Sequence, residues 1–232
     1  HRPVPPDIRF KTDMWLKKYM KIKDLEPTLK NSELYMGDPT YWPDKNDAAA
    51  LAAFARHKGW SSDIRVTCLT RNSDRYHFWD IYGKCEEGVC LWYDFDKLLL
   101  DIKHEYTLDP TLGWGPVRYY TVAKLLRKCH ASGLALAKRK QYHHENEFRI
   151  FRQHSPSSDE HAATHLKFQP ESLRRIYLNP WIDADKFRRE KAKIKVWASG
   201  RYKDLQILHN QTLKYDKWIR AVDKVADEAD SR

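Results

Sequence analysis

The sequence predicts an α+β fold: one domain with a central mixed or split β-sheet flanked by helices. Three observations predict it. First, residues 64–69 and 147–153 alternate apolar and polar side chains, and residues 88–93 are almost continuously apolar, the two patterns of exposed and buried strands. Second, helical segments opened by Asp lie between them. Third, helices and short strands intermix without a βαβ rhythm, an internal repeat or a linker. The 232 residues are 41 % hydrophobic and include nine Trp and thirteen Tyr, enough for a core despite 32 % charge, so disorder is excluded.

Residues 1–11 are Pro-rich and read as a flexible N-terminal arm. A short helix follows, with Asp24 as its expected cap, Pro27 in its first turn, and Leu25 and Leu29 as its buried stripe. Leu34, Tyr35 and Met36 read as a short strand closed by a Gly37-Asp38-Pro39 turn. Asp47 is the expected cap of an Ala-rich helix ending near Gly59. After the strand at 64–69, Asn72-Ser73 opens a helix holding Phe78, Trp79 and Tyr82. The buried strand at 88–93 runs into a helix capped by Asp94 and carried by Leu98, Leu99 and Ile102. Gly113-Trp114-Gly115-Pro116 reads as a loop, followed by a strand through Val117 and Tyr119.

Residues 121–137 read as mostly helical, interrupted near Gly133. Beyond the strand at 147–153, Ser155-Pro156-Ser157-Ser158 reads as a hairpin-like turn, with 166–168 returning beside that strand. A strand at 175–178 precedes a basic helix capped by Asp183 and carried by Phe187 and Ile194. Leu205 and Ile207 suggest a last strand. Trp218, Ile219, Val222 and Val225 then recur at three- and four-residue spacing, a terminal amphipathic helix. The expected organisation is an arm at 1–11, a single α+β domain at 12–212 and this helix at 213–232.

The net charge is +10, with a pI near 9.3. That charge favours phosphate-bearing partners, nucleic acid or nucleotide, as much as it describes a merely soluble basic protein. Cys68, Cys85, Cys90 and Cys129 form no Cys-x-x-Cys pair, so a zinc knuckle is not expected. No secretory leader is visible, and the expectation is reduced thiols in a cytoplasm. No apolar run approaches the ~18 residues of a membrane-spanning helix.

The most informative stretch is His144-Glu145-Asn146-Glu147-Phe148-Arg149-Ile150. On a strand, residues two apart share a face, so Glu145 and Glu147 are expected to project together. Paired carboxylates are costly to bury and are tolerated on a solvated face or used in a cleft. The structural alternatives are surface pairs, Glu145 with Lys138 or Arg149 and Glu147 with Arg149. His143 and His144 lack an i, i+4 partner, so no metal ligand set is assigned.

Four ordered segments resemble a bacterial domain-of-unknown-function family. They are Lys17-Lys18-Tyr19 with Leu34 to Pro39 and Asp44-Lys45-Asn46-Asp47; Val66-Thr67-Cys68-Leu69-Thr70; Phe78-Trp79-Asp80-Ile81-Tyr82 with Glu87 to Leu91; and Lys138-Arg139-Lys140 with His144 to Arg149. The family's Asn-Asp-Pro after the first strand pair is absent here. The layout is in turn similar to the ADP-ribosyltransferase pattern: a basic first-strand residue, a Ser/Thr-bearing strand, and a late strand opening Glu-x-Glu. Lys18 stands where Arg or His is usual.

The resemblance implies an NAD-dependent ADP-ribosyltransferase, in the setting of a bacterial toxin or anti-phage effector, with NAD as substrate. By it, Glu147 stabilises the oxocarbenium-like ribose, and Glu145 positions the acceptor or takes its proton. Lys18 pairs with pyrophosphate, Thr67 or Thr70 holds the sugar edge, and Tyr19, Tyr82 or Trp79 stacks on nicotinamide or base. The implied acceptor is a nucleic acid or a protein. Plainer readings stand beside these roles: Trp79 and Tyr82 as core, Thr67 as a strand former. Two other functions stay open. One is a nucleic-acid-binding module using Lys138-Arg139-Lys140 and the basic run at 188–193, which on a helix also reads as a solvated face. The other is a partner-binding protein using the terminal helix.

Overall fold

The computed structural model describes residues 14–60, 63–72, 75–83, 85–154 and 160–230. The arm at 1–11 and the turn at 155–158 lie outside the described residues. The chain runs β1 (Trp15–Lys21), α1 (Leu25–Asn31), β2 (Glu33–Tyr35), α2 (Lys45–His57), β3 (Ile64–Thr70), α3 (Tyr76–Ile81), β4 (Gly88–Asp94) and α4 (Phe95–Leu108). It continues through β5 (Gly113–Pro116), β6 (Arg118–Tyr120), α5 (Val122–Lys128), β7 (Ala137–Arg139), β8 (Glu147–Gln153), α6 (Glu160–Thr164) and β9 (His165–Lys167). It closes with β10 (Leu173–Leu178), α7 (Ala184–Ala198), β11 (Gln206–His209) and α8 (Asp216–Asp230).

Seven strands form one mixed sheet in the order β11-β10-β4-β1-β3-β8-β5, with β10 and β11 parallel and the other neighbours antiparallel. β1 pairs with β4 along its length, from Trp15↔Asp94 to Lys21↔Gly88, and β3 pairs with β8 from Ile64↔Gln153 to Thr70↔Glu147. Between these halves, β1 and β3 meet at Lys17↔Thr70 alone among the described residues. The sheet is therefore split at its centre. Strand backbone at such a split needs other hydrogen-bond partners. Lys18 supplies one, its Nζ donating to Cys68 O at 3.4 Å and Thr67 Oγ1 at 2.8 Å.

Alternation along the strands sorts the core onto two faces. Leu16, Leu69, Leu91, Phe148 and Ile150 pack with Leu25 and Leu29 of α1, Leu98 and Ile102 of α4, and Ile194 of α7. On the other face, Leu51 and Phe54 of α2 pack on Ile64, Val66 and Phe151, while Phe78 and Trp79 of α3 pack on Tyr19 and Cys90. So α2 covers one half of the split sheet and α3 the other, and the gap between them lies over the β1–β3 seam.

Several sequence expectations change here. Asp44, not Asp47, caps α2, accepting from Asn46 N at 3.0 Å; Asp47, one turn in, is released to a buried partner. Residues 113–116 are an edge strand rather than a loop. Gly113 permits it, because a Cβ there would lie 2.4 Å from the Phe151 ring, and Pro116 is tolerated at an edge that asks for no donor. Val117 is not in the next strand; β6 begins at Arg118 and pairs parallel with β7. Residues 121–137 divide into α5, a 3-10 turn at 131–136 and the start of β7. β9 pairs with β2, not with β8, because β8 already has β3 and β5 on its two edges.

The helix holding Phe78 and Trp79 ends at Ile81, so Tyr82 is its C-terminal flank. α8 forms as its spacing predicts, yet Trp218, Ile219, Val222 and Val225 are all exposed. In α7 the basic run is a solvated face with pairs inside the helix, Arg188 with Asp185 and Lys193 with Glu190. Among the described residues, no helix is long and apolar enough to cross a membrane.

Candidate active site

The gap between α2 and α3 is a cavity of about 520 Å³. Its base is β8, whose alternation sends Glu147 and Arg149 to this face while Phe148 and Ile150 enter the core. Arg149 is fully buried and surrounded by acceptors. Its Nε donates to Glu147 Oε1 at 2.7 Å, its Nη2 to both Asp47 oxygens at 3.0 and 2.9 Å, and its Nη1 to Ala135 O at 3.0 Å. Lys138, from β7, completes the network. Its Nζ lies 2.6 Å from Glu145 Oε2, 3.0 Å from Glu147 Oε2 and 3.3 Å from Asp47 Oδ2.

Glu145 and Glu147 do converge, though not through strand periodicity. Glu145 ends a 3-10 turn, and Asn146 takes a left-handed conformation (φ 44°) before β8 begins, so the two residues are not i and i+2 on one strand. Asn is among the few side chains that accept that region cheaply. The turn is latched to β3: Thr70 Oγ1 donates to Glu145 O at 2.5 Å, and Arg71 Nη2 donates to Asn146 Oδ1 at 2.6 Å. The Glu145 carboxylate then accepts from Tyr82 Oη at 2.8 Å and from Lys138. Glu147 is the less exposed of the pair, 3 % against 7 %.

Burial would raise the Glu147 pKa, but Arg149 and then Lys138 more than reverse it, holding the carboxyl at about 2. Desolvation likewise opposes the Lys138 charge, and Glu147, Asp47 and Glu145 override it, raising its pKa. The plainer reading of Glu147–Arg149 and Glu145–Lys138 as ion pairs is thus realised, but inside a cavity rather than on a solvated surface. Three carboxylates face two cations in this bonded set, and two further cations, Lys17 and Lys18, line the same cavity, Lys18 interacting with Glu147. Cys68 also lines the cavity, and burial followed by the nearby Glu147 pushes its thiol up, so it stays protonated and unreactive.

The other sequence candidates fall into two groups. Lys18, Tyr19, Thr70 and Tyr82 line the same cavity as Glu145 and Glu147. Thr67 does not line it; its hydroxyl instead accepts from Lys18 Nζ, so two residues expected on NAD bind each other. Desolvation lowers the Lys18 pKa, partly offset by Cys68 and Glu147. Tyr19 packs edge-on against Trp79 at 5.1 Å and Phe78 at 5.7 Å, and Trp79 is fully buried core. Tyr82 keeps a half-exposed ring beside the opening while its hydroxyl holds Glu145.

Sequence reading missed Lys138, Asp47 and Arg149 as one network, together with Trp42 and Tyr142 on the wall. Lys138 Nζ lies 5.1 Å from the Tyr142 ring centroid and the Arg149 guanidinium 5.7 Å from that of Trp42. The one available signal was a second Asp, three residues beyond the Asp that caps α2.

No family model matches the chain, and no curated protein matches it. Two solved structures are similar: DarT from Thermus sp. 2.9 in complex with carba-NAD+, and the same protein in complex with NAD+. Each aligns at 10 % identity with a TM-score of 0.44, covering 89 % of this chain and 100 % of the other.

Proposed function

We propose that the chain is an NAD-dependent ADP-ribosyltransferase-like enzyme whose active site is the cavity over the β1–β3 seam. The observation that carries this reading is a buried carboxylate, Glu147, kept ionised by Arg149 and Lys138 at the base of an aromatic-walled cleft. Breaking the bond from ribose to nicotinamide sends the electron pair out with the leaving group and builds positive charge on the ribose carbon. A fixed negative group beside that carbon stabilises the transition state more than the ground state. Arg149 and Lys138 position Glu147 and keep it charged. Glu145, held by Tyr82 and Lys138, is placed to accept the proton of the attacking acceptor. The rings of Tyr82, Trp42 and Tyr142 offer stacking surfaces for nicotinamide or base.

The test is incubation with labelled NAD, scoring nicotinamide release and label transfer separately. Wild type is expected to do one or both, and Glu147→Gln to lower the rate roughly 10²–10³-fold, the size of a lost electrostatic contact. Thermal melts of the variant separate that loss from unfolding. An unchanged rate in Glu147→Gln, or no NAD binding by wild type at millimolar cofactor, overturns the reading.

A further inference from the structure

His161 and His165 lie four residues apart across the end of α6, and Glu33 approaches them from β2, which pairs antiparallel with β9. His161 Nε2 is 2.8 Å from Glu33 Oε2, and the two imidazole rings stack at 4.1 Å with 15° between their planes. One ligand-capable atom of each of the three residues lies within 4.8 Å of the other two. The Glu33 carboxylate is buried, His161 is exposed and His165 lies between.

We propose that Glu33, His161 and His165 form a binding site for a divalent transition-metal cation of the zinc class. Two imidazoles with one carboxylate suit zinc and its first-row neighbours, whereas calcium and magnesium select oxygen ligands. Zinc holds nitrogen and oxygen at about 2.0–2.2 Å, so tetrahedral ligands sit roughly 3.3 Å apart. Reaching that spacing requires the exposed His161 ring to turn out of its stack on His165. His165 Nδ1 lies 3.0 Å from both His161 O and Thr164 Oγ1. Donation to that carbonyl leaves Nε2 as the lone-pair nitrogen, the usual way a backbone carbonyl sets the tautomer of a metal-binding His. The cation would take the place of the proton shared by His161 and Glu33. It would clip α6 and β9 to β2, with at least one coordination position open to solvent. The site adjoins the cavity through Tyr35, which lines the cavity and packs edge-on against the His165 ring at 5.5 Å, but it does not depend on the reaction proposed there.

The experiment is calorimetric titration of the chelator-stripped full chain with Zn²⁺ alone, repeated with Co²⁺ to read ligand geometry from its visible absorption. Expected is saturable one-to-one binding at micromolar affinity and a rise in Tm with metal. His161→Ala is expected to weaken binding at least tenfold, and because it also removes the partner of the buried Glu33, a metal-free melt separates lost binding from lost stability. Glu33→Gln should weaken it likewise, while a His143→Ala/His144→Ala double variant should bind as wild type does. No saturable binding at millimolar Zn²⁺, equal affinity in wild type and His161→Ala, or loss only in the His143/His144 variant overturns the site and leaves a hydrogen-bonded His–Glu pair.

Discussion

At the scale of the residue, the site is governed by how charges are held out of water. Glu147 has its pKa depressed to about 2 from an ordinary 4.5, against the effect of its own burial. A carboxylate with a depressed folded pKa contributes stability that is fully present above its unfolded pKa and lost as pH falls through its folded one. The contribution is therefore expected to vanish between about pH 4.5 and pH 2, on the order of 3 kcal/mol in all. Denaturant melts of wild type across that window should show the loss, and Glu147→Gln should show a flatter profile there. An identical slope in both proteins would mean that Glu147 is not the group being titrated. The plain surface-pair alternative predicts no such difference, because exposed pairs contribute little.

At the scale of the element, α2 shows how two chemically identical residues three apart divide two jobs. Asp44 accepts Asn46 N at the helix start, and Asp47 reaches inward to Arg149. Losing a cap costs about 1 kcal/mol. Stripping a buried ion of its partner costs up to about 3–5 kcal/mol; without Asp47, Arg149 keeps Glu147 and Ala135 O, so the loss falls toward the lower end of that range. Asp44→Ala and Asp47→Ala should thus differ clearly in urea unfolding, with Asp47→Ala the more damaged; the reverse order would undo this division. The turn before β8 matters in the same way. Asn146 in the left-handed region breaks the strand one residue after Glu145, and Thr70 anchors the turn. Glu145 consequently enters the cavity from a loop, a geometry that apolar alternation on either side could not indicate.

At the scale of the molecule, the split between β1 and β3 and the separate coverage of the two halves by α2 and α3 make the cavity. The terminal helix is not part of that construction. Every described side chain of α8 is exposed, including Trp218 at 68 %. A chain truncated after residue 213 should therefore melt within a degree or two of the full one, and a large drop would show that α8 packs on the domain. A salt titration of nucleic-acid binding addresses the basic-module alternative. The internal pairing of Arg188 and Lys193 within α7 lowers the number of free cations that such a contact could use.

By itself, the sequence determined β3, β4 and β8 of the central sheet, the Asp-capped starts of α4 and α7, and the terminal amphipathic helix. Each is written in spacing over a few residues, where local geometry dominates. Tertiary structure decided the rest. It made an edge strand of Gly113–Pro116, because Gly113 leaves room for the Phe151 ring. It joined β9 to β2, bringing Glu33 to a histidine 128 residues away. It drew Asp47, read from sequence as a helix cap, across 102 residues to Arg149, and buried Lys138 between three carboxylates. The reason is the range of the forces. Hydrophobic periodicity acts within one element, whereas a buried charge must find its counter-charge wherever the folded chain puts one.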